Sequence, residues 1–229
     1  TAVEDEVLTA VNTLSDEDVL GTITYTWSNG TIGETTTLGQ TDVGSVLSVT
    51  ASYTDGQGSG ESVSSEATGS VVNVNDAPIG SVTISGTAVE DEVLTAVNTL
   101  SDEDVLGTIT YTWSNGTIGE TTTLGQTDVG SVLSVTASYT DGQGGAESVS
   151  SEATGSVVNV NDAPIGSVTI SGTAVEDEVL TAVNTLSDED VLGTITYTWS
   201  NGTIGETTTL GQTDVGSVLS VTASYTDGQ

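Results

Sequence analysis

Short stretches of alternating apolar and polar residues follow one another along the chain, separated by residues that favour turns. In residues 108–114, Ile109, Tyr111 and Trp113 fall on one face and threonines on the other, and residues 132–140 alternate in the same way. A period of two is typical of strands with one buried face. Turn signals recur roughly every 8 to 12 residues, which favours an all-β sandwich without long helices.

One complete unit of this pattern predicts the strands of an immunoglobulin-like sandwich. Residues 115 and 116 are Asn-Gly, which predicts a two-residue hairpin turn because both turn positions need a positive φ. Trp113 is expected in the core rather than as an exposed, sugar-stacking residue. The expected strands are A over 80–85, B over 93–100, C over 108–114, two short strands around Ile118 and Thr122, F over 132–140, and G over 148–160 with a break near Gly155.

The whole unit is repeated almost letter for letter. Residues 1–58 recur as residues 87–144, and residues 173–229 repeat the same segment again, so the period is 86 residues. A period this long indicates a repeated domain, because solenoid repeats span roughly 20 to 50 residues. Two positions differ between the copies, both in a glycine-rich turn: Ser59 against Gly145 and Gly60 against Ala146.

The two prolines mark the expected domain boundaries. Pro78 and Pro164 close identical stretches, Val-Val-Asn-Val-Asn-Asp-Ala-Pro, which predict short stiff linkers because proline fixes φ and holds its predecessor extended. We expect three domains: residues 1–78 without a first strand, 79–164 complete, and 165–229 without a last strand. The predicted fold is all-β, with tandem immunoglobulin-like (Greek-key) β-sandwiches in an extended linear array. We expect the array to be longer than this chain, since the terminal repeats of arrays are usually atypical caps.

The charge of the chain is one-sided. Its 33 acidic residues face no Lys, Arg or His, which gives a formal net charge of −33. Because no side chain can pair with a carboxylate, compact folding builds self-repulsion that cations from solution are expected to relieve. Nucleic acids and anionic membranes are bound mainly through Lys and Arg, so neither is an expected partner. The sequence also has no apolar run of about 18 residues, so no membrane insertion is expected.

The composition also argues against catalysis. Without Cys and His the chain offers no disulfide, no thiolate or imidazole metal site and no catalytic triad. Paired carboxylates can hydrolyse glycosides, but that chemistry needs a raised pKa in a shaped cleft, which repeated small domains do not suggest. We therefore expect no enzymatic activity.

The acidic residues are concentrated in loops that an immunoglobulin-like topology brings to the two ends of each domain. The B–C and F–G loops lie at the end where the chain arrives, and the A–B and E–F loops at the end where it leaves. A linker between two domains therefore meets acids from both. Carboxylate and amide oxygens without nitrogen or sulfur ligands suit calcium, which takes roughly 6 to 8 oxygens in irregular geometry.

We therefore predict calcium at both linkers, and calcium is the expected cofactor. Some acids on strands or mid-domain turns are read instead as solvated surface charges: Glu34, Glu61 and Glu66. The first linker is expected to use Glu4, Asp42, Asn73, Asn75, Asp76, Asp102, Asp104 and Asp141. The second is expected to use Glu90, Asp128, Asn159, Asn161, Asp162, Asp188, Asp190 and Asp227.

Three motifs carry a resemblance to a known kind of repeat: the Asn-Asp-Ala-Pro linker, Leu-Ser-Asp-Glu-Asp-Val-Leu-Gly, and Val-Thr-Ala-Ser-Tyr-Thr-Asp-Gly-Gln-Gly. Together they resemble the tandem immunoglobulin-like repeats of giant bacterial surface adhesins and RTX-type calcium-binding proteins, over the whole chain. The linker is also similar to that of cadherins, although it has Asn in place of the first linker Asp. The resemblance implies an extracellular or cell-surface array in bacteria whose links stiffen on binding calcium.

Three functions compete. In the first, the repeats are structural extenders of an adhesin or biofilm matrix fibre, with calcium ions and neighbouring repeats of the same chain as partners. In the second, they build a filament, sheath or surface layer, in which cations bridge the acidic faces of other copies in a fibre. In the third, they are multivalent carbohydrate-binding repeats. The third needs exposed aromatic residues, whereas the few Tyr and Trp residues are expected to be buried.

Overall fold

The computed structural model describes residues 1–228, and these residues form an all-β protein. The strands are β1 Val7–Thr9, β2 Thr24–Trp27, β3 Thr35–Thr37, β4 Val49–Thr54, β5 Gly60–Ser64, β6 Val82–Ser85, β7 Val93–Asn98, β8 Thr110–Trp113, β9 Thr121–Thr123, β10 Val135–Thr140, β11 Ala146–Ser150, β12 Val168–Ser171, β13 Val179–Asn184, β14 Thr196–Trp199, β15 Thr207–Thr209 and β16 Val221–Ser224. Two short 3-10 helices are described as well, Gln40–Asp42 and Gln126–Asp128.

The strands form small open antiparallel sheets with two recurring orders. The order β6-β7-β9 recurs as β12-β13-β15 and, shortened, as β1-β3. The order β8-β10-β11 recurs as β2-β4-β5 and, shortened, as β14-β16. Each order pairs strands that are not consecutive in the chain, as the two sheets of an immunoglobulin-like sandwich do. The all-β sandwich prediction is confirmed.

The described residues divide into two compact units. The first unit contains residues 1–83, 97–112 and 136–151, and the second contains residues 84–96, 113–135 and the chain from 152 onward. The first unit therefore holds the first linker together with Glu4 and Asp104, and the second holds the second linker together with Glu90 and Asp190. The division of the chain into three domains stays a prediction.

Each unit has an apolar core built around a tryptophan. In the first unit Trp27 packs with Leu38, Leu47 and Val71, and in the second Trp199 packs with a set of apolar residues, Leu180, Ala182, Tyr197 and Leu210. Trp113 is only 1% exposed, and its indole N–H donates to the carbonyl of Gly119 at 3.0 Å. A buried indole N–H needs such a partner. The predicted core position of Trp113 is confirmed.

The alternation predicted the buried face of strand F correctly: Leu133, Val135, Ala137 and Tyr139 are all buried. The predicted lengths of strands F and G were wrong. β10 begins at Val135 rather than at 132, and β11 is followed by residues 151–157 without strand structure. The reason lies at Leu133, whose N–H donates to the Thr154 hydroxyl at 3.0 Å instead of to a backbone carbonyl, so the regular ladder is interrupted.

Within residues 1–228, no helix has the length and hydropathy that a membrane crossing requires.

Candidate metal centre

Three carboxylates from three separate segments meet beside the first linker. Glu4 precedes β1, Asp76 lies in the linker, and Asp104 lies in the loop between β7 and β8. Each offers an oxygen within 4.8 Å of the other two. Glu4 is 2% exposed and Asp104 is fully buried. We call Glu4, Asn73, Asp76 and Asp104 the first linker group; Asn73 lies in the linker, and its Oδ1 is buried without a hydrogen-bond partner.

The backbone of the linker holds two of these carboxylates in place. The Val74 N–H donates to Glu4 Oε2 at 3.1 Å, and the Asp76 N–H donates to Asp104 Oδ2 at 2.9 Å. Glu4 itself is positioned by an isolated parallel bridge between Val3 and Val72, at the start of the linker. The linker backbone therefore binds Glu4, which precedes it in sequence, and Asp104, which lies 28 residues after Asp76.

Some oxygen atoms beside the first linker are buried and have no hydrogen-bond partner. They are Asp104 Oδ1, Asn73 Oδ1 and Asp141 Oδ2. Buried polar atoms nearly always find a partner, and a carboxylate oxygen that finds none carries a large desolvation penalty. All three atoms are acceptors, so each needs either a donor or a cation. An oxygen-liganded cation is one partner that would satisfy an atom of this kind.

The carboxylates of this group destabilise one another's charged forms. Burial raises the pKa of Glu4, the Val74 N–H lowers it, and the neighbouring Asp76 and Asp104 raise it further. The pKa of Asp76 is raised by burial first and then by the charges of Asp104 and Asp5. Without a counter-charge the group therefore opposes folding at neutral pH.

The second linker carries the same arrangement, which we call the second linker group: Glu90, Asn159, Asp162 and Asp190. Its three carboxylates again lie within 4.8 Å of one another, and Asp190 is fully buried. The Val160 N–H donates to Glu90 Oε2 at 3.0 Å, and the Asp162 N–H donates to Asp190 Oδ2 at 2.8 Å. Asn159 Oδ1 and Asp190 Oδ1 are buried without a partner. Burial, followed by the charges of Asp190 and Asp91, raises the pKa of Asp162.

Asp102 and Asp188 brace the loops that present Asp104 and Asp190. Asp102 accepts the Asp104 N–H at 2.9 Å and the Tyr139 hydroxyl at 2.5 Å. Asp188 accepts the Asp190 N–H at 3.0 Å and the Tyr225 hydroxyl. Burial and the bond to Asp188 raise the pKa of Tyr225 to about 12, so its hydroxyl is a donor at neutral pH.

The turn after β10 places Asp141 next to the first linker. Its Oδ1 accepts the N–H groups of Gln143 at 2.8 Å and Gly145 at 2.9 Å, which leaves Oδ2 open. Asn75 reaches the same turn and donates to Glu147 Oε1 at 2.7 Å. In the second unit the corresponding Asn161 donates to the carbonyl of Asp162 at 3.0 Å. Asp227 is half-buried and directly precedes Gly228, whose N–H donates to the carbonyl of Asp190 at 2.9 Å.

Asp42 and Asp128 were predicted ligands that the structure does not bring into either linker group. Asp42 accepts the Gly39 N–H and the Asn29 side-chain amide, both at 3.2 Å, and so closes its own 3-10 turn. Asp128 accepts the corresponding groups of Gly125 and Asn115, both at 3.1 Å. These local bonds account for the burial of both aspartates without an ion.

One acidic group was absent from the predicted ligand set. Asp16, Asp18 and Asp55 also lie within 4.8 Å of one another, and we call them the leading group. They are the copies of Asp102, Asp104 and Asp141, so the period of 86 residues was a signal that could have found them. The charges of Asp5 and Asp91 also raise the pKa values of Asp76 and Asp162, respectively.

No family model matches the chain, and no curated protein matches it. One similar solved structure is a tetra-tandem repeat from the extending region of a large adhesion protein, with 24% identity, a TM-score of 0.22 and coverage of 91% of this chain and 58% of the other. A second is an adhesin of an Antarctic bacterium, described as Ca²⁺-stabilised and as binding ice, with 16% identity, a TM-score of 0.30 and coverage of 95% and 59%.

This chain therefore spans less than two thirds of either similar protein. Both are described as adhesion proteins. At TM-scores this low, the similarity does not extend to the placement of individual residues.

Proposed function

We propose that the chain is a series of extender repeats from an extracellular bacterial adhesin or matrix fibre, and that calcium bound at its linkers makes the repeats rigid. Its partners are then calcium ions and the neighbouring repeats of the same chain. The function is mechanical rather than catalytic.

The observation that carries the proposal is the unpartnered, fully buried carboxylate oxygen of Asp104, repeated at Asp190. Each of these oxygens belongs to a group of three carboxylates in a chain without a single Lys, Arg or His. Linker N–H groups bind one oxygen of each buried acid, but no cationic side chain offsets the remaining desolvation and repulsion, so a cation from solution would stabilise the cluster.

The donor set favours calcium among the common cations. Glu4, Asn73, Asp76 and Asp104 offer carboxylate and amide oxygens from three segments of the chain, and Glu90, Asn159, Asp162 and Asp190 repeat the set. Calcium accepts an irregular shell of roughly 6 to 8 oxygens, whereas magnesium demands a compact octahedron and gives up its water reluctantly. Asn75, Asp141, Asn161 and Asp227 are the further predicted ligands that lie in the linkers or adjoining turns.

Rigidity follows from where the ligands sit in the chain. Glu4 precedes the linker, Asp76 lies within it, and Asp104 follows it, so one bound ion ties all three segments together. A ligand that binds only this ordered arrangement stabilises it by mass action. Calcium removal should therefore release the linker while leaving each apolar core intact.

The test is small-angle scattering and thermal unfolding of the whole chain, in chelator and across roughly 10 µM to 10 mM Ca²⁺, a range that spans extracellular calcium modules. We expect calcium to raise the Tm and to lengthen and narrow the distribution of molecular dimensions. Sodium chloride of matched ionic strength is the control for simple charge screening. Scattering and melting curves that do not respond to calcium would contradict the proposal, and calcium-dependent growth of the sedimentation coefficient with protein concentration would favour a cation-bridged filament instead.

A further inference from the structure

The glycine-rich turn that follows β10 in the second copy differs in sequence from its first copy but not in backbone structure. Asp141 N–H donates to the Gly145 carbonyl at 2.9 Å, as Asp55 N–H does to the Ser59 carbonyl at 2.9 Å. The Ser59 N–H returns to Asp55 Oδ1 at 2.8 Å, and the Gly145 N–H returns to Asp141 Oδ1 at 2.9 Å. Gly145 also lies outside the left-handed region that favours glycine. Backbone conformation therefore does not require a glycine at 145.

The space around Gly145 is instead occupied by the ends of two other side chains. A Cβ atom at this position would lie 1.8 Å from Asn75 Oδ1 and 2.3 Å from Asp141 Oδ2. Both distances are far shorter than real Cβ contacts, so a side chain at 145 would have to shift both of these oxygens. The second difference between the copies, Gly60 against Ala146, has no explanation in the structure.

Asn75 crosses from the linker to occupy this space. Its amide nitrogen donates to Glu147 Oε1 at 2.7 Å, which holds its amide oxygen against the turn. That amide oxygen and the unpartnered, buried Asp141 Oδ2 then flank the same point above Gly145. A hard cation is the ligand that an amide oxygen and an open carboxylate oxygen share.

We propose that Gly145 is a specificity-determining residue of the link: by leaving room for Asn75, it admits the preceding linker to the turn and brings the Asn75 and Asp141 oxygens together. A serine at position 145 would displace the Asn75 and Asp141 oxygens from this point and weaken the cation site. This inference rests on the proposed function for its cation, but not for the steric coupling between positions 75 and 145.

The test compares four variants of the whole chain with the unmodified protein: Gly145→Ser, its matched control Ser59→Gly, Asn75→Ala, and the double variant Asn75→Ala/Gly145→Ser. Calcium binding is followed by calorimetry, and Tm is measured in chelator. We expect Gly145→Ser to weaken one class of calcium site roughly 10-fold, the lower range for residues that orient metal ligands. Ser59→Gly should leave calcium affinity unchanged.

The double variant decides whether the effect passes through Asn75. In the Asn75→Ala background only Asp141 Oδ2 still occupies the space above residue 145, so adding Gly145→Ser should lower calcium affinity and the Tm in chelator by much less than it does in the unmodified protein. Gly145→Ala provides a second check, since its Cβ alone should reproduce the serine effect.

Two results would overturn the inference: a Gly145→Ser chain with unchanged affinity and Tm, or the same loss in the presence and absence of the Asn75 side chain. A failure of the proposed function would give a different result: the unmodified protein would bind no calcium. The Tm values in chelator would still show whether the effects of the substitutions at positions 75 and 145 depend on each other.

Discussion

The leading group and the loop that carries Asp104 have the same sequence and the same internal hydrogen bonds, but they differ in burial. Asp18 N–H donates to Asp16 Oδ1 at 2.8 Å, just as Asp104 N–H donates to Asp102 at 2.9 Å. Asp18 is nevertheless exposed, while Asp104 is fully buried. Asp104 differs in its contact with a linker, because its Oδ2 accepts the Asp76 N–H at 2.9 Å.

This comparison separates the conformation of the acidic loop, which each repeat encodes, from the burial of its aspartate, which accompanies contact with a linker. The loop conformation is encoded within one copy, since the Tyr53 and Tyr139 hydroxyls brace Asp16 and Asp102 in the same way. The two copies that accept a linker N–H, Asp104 and Asp190, are the ones that are fully buried and have an unpartnered oxygen. The same surface aspartate is thus a solvated charge in one setting and a candidate ligand in the other.

The most direct test of this difference is to neutralise Asp104 and Asp18 in separate variants. Asp104→Asn should remove calcium binding at the first linker and lower stability by up to about 2.7 kcal/mol when calcium is present at 100 times its Kd. Asp18→Asn, the matched control, should have little effect. Thermal unfolding at fixed calcium measures both, and Asp190→Asn should repeat the Asp104 result at the second linker.

In chelator the sign should reverse for Asp104. Its negative charge then repels Glu4 and Asp76, whose pKa values it raises, while an asparagine oxygen can still accept the Asp76 N–H, so Asp104→Asn should increase the Tm slightly. If both aspartates behaved alike in calcium and in chelator, the linker would not be the cause of the difference between them.

Lowering the pH should change the Tm through the same carboxylates, with a smaller effect than the substitutions. Because the folded-state pKa values of Glu4, Asp76 and Asp162 lie above their ordinary values, protonation stabilises the folded chain. That contribution is complete below the ordinary values of 4.5 for Glu4 and 3.8 for the aspartates and is lost as the pH rises through the raised folded-state values. In chelator, the Tm should therefore increase as the pH falls from 7 towards that window.

In saturating calcium the pH dependence should be opposite, since protons compete with the ion for the same oxygens. Glu4→Gln should flatten part of the chelator profile and provides the control. Parallel profiles with and without calcium would show that the ion and the protons do not share these carboxylates.

The sequence assigned Glu4, Asp76 and Asp104 to loops that an immunoglobulin-like topology brings to a linker, and their oxygens do lie within 4.8 Å of one another although the residues are far apart in sequence. Their role as calcium ligands stays a prediction. The position of Asp42 in the sequence did not predict the direction of its carboxylate. The side chain could face the linker or the Gly39 N–H three residues earlier, and the structure shows the bond to Gly39.

The roles of Glu147 and Gly145 depended on information that the pattern did not contain. Glu147 reaches Asn75 because it sits opposite Tyr139 in the β10–β11 register, which a turn of uncertain length leaves open. Gly145 in a glycine-rich turn suggested tolerance to substitution. Its steric constraint comes from a side chain 70 residues earlier in the numbering, which no local rule can supply.

The smallest predicted effect concerns a feature that both loops share. Val19 and Val105 each adopt a φ of 73°, in the left-handed region that β-branched residues avoid, and their side chains are 70% and 65% exposed. Asparagine tolerates this conformation better, so Val19→Asn and Val105→Asn should each stabilise the chain by about 1 kcal/mol. Little packing is lost, because both side chains are largely in solvent. Since the strain belongs to the repeat and not to the link, denaturant unfolding should give equal gains for the two variants with and without calcium. A gain confined to Val105, or one that calcium abolishes, would mean that the linker imposes this backbone conformation.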